Sequence, residues 1–350
     1  MHITKRGAVL LSAAILMFAG AVTGASAEEV VLATWGGTWG KGIQTQVIDP
    51  FTKETGITVK MIAGVSLANM KMVAAQRNKP QVDVITMVTQ DGVRAYDDGL
   101  LAPISPKAVP NIATLSDVGI RRDANGKVMF AGIWTYPYGI VYRTDKVHWQ
   151  LDKWSDLWDP RLKNKVAVSS PKYMSSYFLL MVNRIAGGNE ENVNPGFAKI
   201  KKLGDNLVAV ADSDATQQRL LAQGEVWAEP MISGTAYKVI DQGVPAKFII
   251  PLDGAPTGVD VVGLVKNGPH AAAAEKFVNF WLRADRSAAA AEAVGVMPVP
   301  RTDGSTGASK HALSKAEADR LVTFDPRAIN ANKGKWIEQW EREIAPMVSH

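Results

Sequence analysis

The chain has 350 residues, 47% of them hydrophobic, with 39 Lys+Arg against 34 Asp+Glu and no cysteine. This length is ample for one or two proper cores, and the missing thiol excludes disulfides, thiolate metal sites, cysteine nucleophiles and a lipid on an N-terminal Cys. The net charge of +5 raises the question of nucleic acid, but acidic residues are interspersed with basic ones throughout, and no basic stripe interleaved with aromatics tracks a phosphate backbone, which argues against that partner.

At the start, Lys5-Arg6, an apolar run over 8–22 and Ala25-Ser26-Ala27 match the charged, apolar and small-residue parts of a secretory leader. Cleavage is expected after Ala27, leaving Glu28 first and removing two basic residues, so that 37 Lys+Arg face 34 Asp+Glu, a net of +3. The apolar run falls short of the ~20 residues that span a bilayer, and no later stretch qualifies. The expectation is an unanchored protein exported to a Gram-negative periplasm.

Downstream, short apolar strands alternate with amphipathic helices, the pattern of α/β architecture. A strand over 30–34 is followed by a helix over 41–54, with Gly56 at its left-handed cap, and by a strand over 57–62. A helix over 70–77, a strand over 82–87 and a short helix over 90–98 complete a first half. A second half repeats the rhythm: strand 165–169, helix 177–186, Pro195 in a helix's first turn, strand 207–211 and helix 216–222. Between the halves, 132–142 is extended and aromatic but holds Pro137, which a central strand is not expected to tolerate, so it reads as a crossing between lobes. A return crossing is expected over 246–265. Helices over 271–282, 286–294 and 333–344 follow, separated by a polar loop around 303–309. No short-period repeat or low-complexity tract is present.

Several stretches resemble the periplasmic solute-binding proteins of ABC importers, in the branch that includes the spermidine- and putrescine-binding proteins. They are Thr34-Trp35-Gly36-Gly37, Gly99-Leu100-Leu101-Ala102-Pro103, Pro137-Tyr138-Gly139-Ile140-Val141-Tyr142-Arg143-Thr144-Asp145, Trp154-Ser155-Asp156-Leu157-Trp158-Asp159-Pro160 and Gly224-Glu225-Val226-Trp227. Ile250-Pro251-Leu252-Asp253-Gly254 and Phe277-Val278-Asn279-Phe280-Trp281-Leu282 complete the set. The resemblance implies two α/β lobes, each a mixed sheet flanked by helices, of the type II periplasmic-binding-protein kind. Residues 28–139 plus about 256–297 would form one lobe, and 140–255 plus about 298–350 the other. It implies a monomer that closes on a small polar solute, a polyamine-like cation by family resemblance, and docks on an inner-membrane permease, with no cofactor or metal.

Ligand loops belong at the carboxyl ends of the parallel strands, here 34–39, 64–67 with Ser66, Thr89-Gln90 and Ser169-Ser170. Trp35 and Trp39 flank Gly36 and Gly37, where the glycines let backbone approach a ligand and the indoles offer flat walls. Trp134, Tyr136 and Tyr138 share one face of the crossing at period two. Glu225, Trp227 and Glu229 share another, placing an aromatic beside carboxylates, as suits an ammonium. Asp260 sits among Gly258, Val259, Val261 and Val262, where a carboxylate must be paired or costly. Two departures from the polyamine pattern stand out. Gly258 stands where those binders usually carry tryptophan, and Ser169-Ser170-Pro171-Lys172 stands where they place acids. Serine hydroxyls, helix-start N–H groups and Lys172 would suit an oxyanion, which opens an anionic or zwitterionic ligand as the alternative. Metal binding is not expected: Tyr173 and Tyr177 are separated, and the histidines are scattered. No Gly-x-Ser-x-Gly, His-Glu-x-x-His or phosphate-binding glycine loop points to an enzyme, and Asp97-Asp98 reads as a solvated turn.

Overall fold

The computed structural model describes His2 and residues 28–303 and 310–348. The leader and the tip of the polar loop, 304–309, lie outside the described residues. The first lobe opens with β1 (Glu29–Thr34), buried along almost its whole length because parallel strands are covered on both faces. A helical segment follows, α1 (Gly37–Ile43), a π-turn over Gln44–Ile48 and α2 (Asp49–Thr55). It begins before the predicted residue 41 because Gly36 is extended and caps it while Gly37 takes φ +60, so Trp39 lies in a helix's first turn rather than in a loop. The π-turn precedes Pro50, whose missing N–H cannot continue the α-ladder. Then come β2 (Thr58–Ala63), α3 (Ser66–Ala75), β3 (Val84–Val88), α4 (Thr89–Asp97), β4 (Leu101–Ala102) and β5 (Ile120–Arg122).

The segment expected as a crossing between lobes, with a proline that a central strand would not tolerate, is a central strand, β6 (Val128–Arg143), that runs from one half of the sheet into the other. Pro137 forms the last pair with the strand on one side, and at Tyr138 a different partner takes over, so the lost donor falls where the ladder changes hands. The second lobe adds β7 (Val166–Val168), α5 (Tyr177–Ile185), α6 (Asn194–Lys201), β8 (Leu207–Val210), α7 (Asp214–Gln223), β9 (Ala228–Ile232), α8 (Ser233–Asp241) and β10 (Ala246–Ile249). The return strand β11 (Ala255–Val265) leads to α9 (Ala271–Trp281), α10 (Ala284–Val294), β12 (Met297–Pro298), α11 (Lys315–Ala318), β13 (Leu321–Val322) and α12 (Pro326–Glu343). α12 starts before the predicted residue 333, because the Asp325 side chain caps it by accepting from the Arg327 N–H and Pro326 occupies its first position.

Strand order is β2-β1-β3-β11-β6-β9-β7-β8. The outer pairs are parallel, while β3–β11, β11–β6 and β6–β9 are antiparallel, giving a mixed sheet in each half. One core gathers Leu32, Phe51, Trp134, Phe277 and Trp281. The other gathers Tyr138, Trp154, Phe178, Phe197 and Trp340. The two cores therefore part between Trp134 and Tyr138 of one strand. Across the lobes, Gln90 Nε2 donates to Ser175 Oγ at 2.7 Å, and Arg327 of α12 donates to Asp97 at 2.6 and 2.8 Å.

Within the first lobe, buried Asp83 ties three elements together. Its carboxylate accepts from the Val31 N–H at 2.8 Å and the His270 N–H at 2.7 Å. Asp83→Ala strands one buried and one half-buried donor and is expected to cost about 3 kcal/mol of unfolding free energy, read from the midpoint of chemical denaturation.

Candidate ligand-binding site

In one lobe β1 and β3 end at Thr34 and Val88, and in the other β7, β8 and β9 end at Val168, Val210 and Ile232. Between the lobes lies a groove of about 850 Å³, lined by Trp39, Glu292, Val294 and Gly295 from the first lobe and by Asp214, Ser233, Gly234 and Lys238 from the second. Its volume suits a small organic solute.

Asp260 sits on β11 between Trp134 of β6 and Val88 of β3, and is 5% exposed. Its Oδ2 accepts from Trp134 Nε1 at 2.7 Å and its Oδ1 from the Tyr136 hydroxyl at 3.3 Å. No lysine or arginine among the described residues is paired with it. Burial pushes its carboxyl up from the ordinary 3.8 to about 7, against the pull of the two donors. Trp134 is also one corner of an indole triangle: its ring lies 5.6 Å from Trp35 and 5.3 Å from Trp39, and those two are 5.9 Å apart. A carboxylate with unused lone pairs beside mutually tilted, packed indoles can hold an ammonium by charge, hydrogen bond and cation–π attraction. Gly258 is explained by the same geometry. A Cβ there would lie 1.8 Å from Tyr136 Cε2, so β6 supplies the aromatic that residue 258 does not.

The expected aromatic row is divided by the change of partner at Pro137. Trp134 and Tyr136 serve Asp260, whereas Tyr138 is fully buried in the second lobe, stacked on Trp154 at 6.1 Å and sharing a 2.5 Å hydrogen bond with Ser169 Oγ. Burial drives its phenol upward. Ser170 donates from N–H and hydroxyl to Asp212 at 2.7 and 2.6 Å, and Lys172 pairs with Glu341 at 2.6 Å. The oxyanion seat expected at Ser169-Ser170-Lys172 is therefore occupied by the protein's own partners, and the next helix does not begin until Tyr177. An acid nevertheless reaches that strand end, because β8 delivers Asp212 where β7 carries serine. Asp214 accepts from the Tyr173 hydroxyl beside it.

Other expected residues hold the frame. Ser66 Oγ donates to Asp91 at 2.6 Å and accepts from the Val88 N–H at 3.2 Å, and Thr89 Oγ1 donates to the Val259 carbonyl at 2.6 Å. Two placements are corrected. Trp227 precedes β9 and donates its N–H to the Lys165 carbonyl, at the amino end of the sheet and away from the cleft, with the Lys165 ammonium 5.3 Å from its ring. Glu229 is buried inside β9 on the same face as Met231, which packs with Leu221, Ala236 and Val239. Its carboxylate oxygens have no partner among the described residues, and burial raises its pKa well above the ordinary value, which disfavours the charge that an ammonium would meet. Glu225 is exposed and paired with Arg219.

Sequence reading missed Ser233 and α8 itself. The signal was present: Ala236, Val239 and Ile240 repeat at helical spacing and Gly243 follows with φ +91, but Ser233-Gly234 reads equally as a loop.

The model of the family described as bacterial extracellular solute-binding protein matches residues 46–313, so the chain belongs to that family. It is similar to a periplasmic protein of Salmonella paratyphi A named for 2-aminoethylphosphonate binding, 24% identical over 314 residues, 84% of this chain and 87% of the relative. It is also similar to the spermidine/putrescine-binding periplasmic protein of Salmonella typhimurium, 24% identical over 307 residues, 85% and 84% of the two chains. An extracellular solute-binding protein structure from Bordetella parapertussis superposes with a TM-score of 0.82 at 20% identity, covering 91% of this chain and 99% of that one. The protein is thus an extracellular solute-binding protein with the two-lobed fold of its structural neighbours, a carrier rather than an enzyme. No helix among the described residues is long and apolar enough to cross a membrane.

The raised carboxyl of Asp260 carries a pH signature. Between about pH 4 and 7 the folded chain holds a proton there that the unfolded chain has released, so rising pH lowers stability across that window and the effect is complete above it. Asp260→Asn should remove this slope, on the order of a few kcal/mol between the ends, in denaturation curves of wild type and variant taken from pH 4 to 8.

Proposed function

We propose that the imported solute carries a primary ammonium group and that Asp260, walled by Trp35, Trp39, Trp134 and Tyr136, receives it. The observation that carries this reading is a buried carboxylate whose partners among the described residues are an indole N–H and a phenol, beside three mutually packed indoles. Spermidine, putrescine and 2-aminoethylphosphonate, for which the relatives are named, share a primary amine, and this supports the assignment. Asp212 and Asp214, at the strand ends of the second lobe, add negative potential across the cleft. A polyamine-like cation fits these acids; a zwitterion fits them with its ammonium end.

The same reading takes the protein as a monomer, freed into the periplasm by cleavage after Ala27 and without nucleic-acid partners. Residues 28–139 plus about 256–297 form one moving lobe, and 140–255 plus about 298–350 the other. Closure follows only from contacts that the solute makes better in the closed form.

A melting-shift screen of small amines and amine-free acids tests the assignment. An amine at about 100 times its dissociation constant should add ~2.7 kcal/mol of stability, and Asp260→Asn should abolish the shift while leaving a folded protein. A shift confined to amine-free compounds, or one retained in Asp260→Asn, would sink the assignment.

A further inference from the structure

The charged side chains that line the groove are accounted for one by one. Asp214 accepts from the Tyr173 hydroxyl, and Asp241 pairs with Lys310 at 2.7 Å, with His311 Nε2 3.2 Å away. Two remain. Glu292 stands on the first-lobe wall and Lys238 on the second-lobe wall, exposed and opposite in sign. Neither side chain has a hydrogen-bond or ion-pair partner among the described residues.

Their helices set them out as a pair. α8 and α10 approach each other at one point, where a Cβ added to Gly234 would lie 3.1 Å from the Gly295 carbonyl oxygen. Gly295 is the left-handed cap of α10, with φ +76. Lys238 follows Gly234 by four residues and Glu292 precedes Gly295 by three, so each stands about one helical turn out from that contact, on the face that carries it. Walls that swing together about the contact therefore bring the two charges toward each other. Glu292 also lacks a local cation. It lies in the last turn of α10, at the negative end of the helix dipole, and no basic residue shares that turn. A carboxylate so placed gains more than an ordinary surface acid from a cation supplied by the other lobe, and Lys238 is the unpaired cation on the facing wall.

We infer that Glu292 and Lys238 form a salt bridge across the groove when the lobes close, a latch that favours the closed form whatever the solute. The inference rests on the lobe closure proposed above and is independent of the ammonium assignment for Asp260. An exposed ion pair shifts an equilibrium only a few-fold, which suits a latch that must open again to release what it holds. The pair is left unmade in the open groove because both side chains are solvated there, and closure replaces that water with the partner charge.

Zero-length coupling with a water-soluble carbodiimide tests it on the full mature chain, because an amide forms only between a carboxylate and an amine in contact, and accumulates even from a minor closed population. Lys172–Glu341 and Lys201–Glu343, paired at 2.6 and 2.7 Å within the second lobe, serve as internal controls. A Glu292–Lys238 amide should appear in the peptide map, roughly tenfold more slowly than the control amides. The chain has no cysteine, so spin labels on Lys53→Cys in the first lobe and Lys202→Cys in the second read the distance between lobes. The coupled chain should show a shorter and narrower distribution than the uncoupled one. In the uncoupled chain, Glu292→Lys sets two ammoniums face to face and should lower the short-distance population about threefold; a population that it leaves unmoved overturns the latch. Control amides without a Glu292–Lys238 amide, in a chain whose inter-lobe distance spans two populations, overturn the latch and leave closure standing. The amide formed with no shortening, in a chain that still spans two populations, also overturns the latch, since the pair then forms without closure. One fixed distance in every sample, coupled or not, overturns closure and latch together.

Discussion

The antiparallel pairing of β6 with β11 is the constraint on which the rest of the molecule depends. β6 is shared by both halves of the sheet, and its partners change at Pro137 from β11 to β9. The same few residues therefore close one core at Trp134 and open the other at Tyr138. Asp260, Trp134 and Tyr136 lie on this crossing, so they are held by ladder hydrogen bonds rather than by loops, which gives the position of the carboxylate the rigidity of a sheet. Motion of one lobe against the other must bend these strands, and direct contacts between lobes such as Gln90 with Ser175, Arg327 with Asp97 and Arg121 with Asp325 are ones that such motion makes or breaks.

Around that floor, polar groups divide by whether the fold already uses them. Ser66, Thr89, Ser169 and Ser170 occupy strand ends where a ligand would be expected, yet each is committed to a partner within the protein. Buried polar groups must be satisfied, and a strand end rich in serine and aspartate satisfies itself. What remains open is smaller and more informative: the spare lone pairs of Asp260 and the uncapped start of α8 with Ser233. The two departures from the polyamine pattern have the same explanation. Tyr136 fills the space above Gly258, and Asp212 brings to the end of β7 the acid that β7 itself lacks. Function at such positions belongs to a place in space rather than to a place in the chain.

Much of the architecture was legible in the residues because it follows from short-range physics. Apolar runs too short to be helices, capping glycines such as Gly56 and the periodicity of α5, α9 and α10 locate most elements within a few residues of their observed ends. The misreadings have local causes. Pro137 argues against a central strand unless one knows that the ladder partner changes beside it. Ser233-Gly234 looks like a loop because small polar residues serve helix starts and turns alike. Glu229 and Trp227 share a period-two face with Glu225, but periodicity tells which residues point the same way, not whether that way is a cleft or a core.

By itself the sequence determined the class of fold, the family, the indoles that follow β1 and the one aspartate in the return strand, because each is carried by residue type and spacing along the chain. Only the tertiary structure decided that Asp260 pairs with Trp134 and Tyr136, that Ser170 and Lys172 are already spoken for, that Glu229 is sealed away inside β9, and that α8 opens into the groove. The physical reason is that a hydrogen-bonding group is defined by what it meets. Partners that lie between 31 and 169 residues apart, such as Ser169 with Tyr138, Asp260 with Trp134 and Lys172 with Glu341, are chosen by strand order and helix packing, which no local pattern encodes.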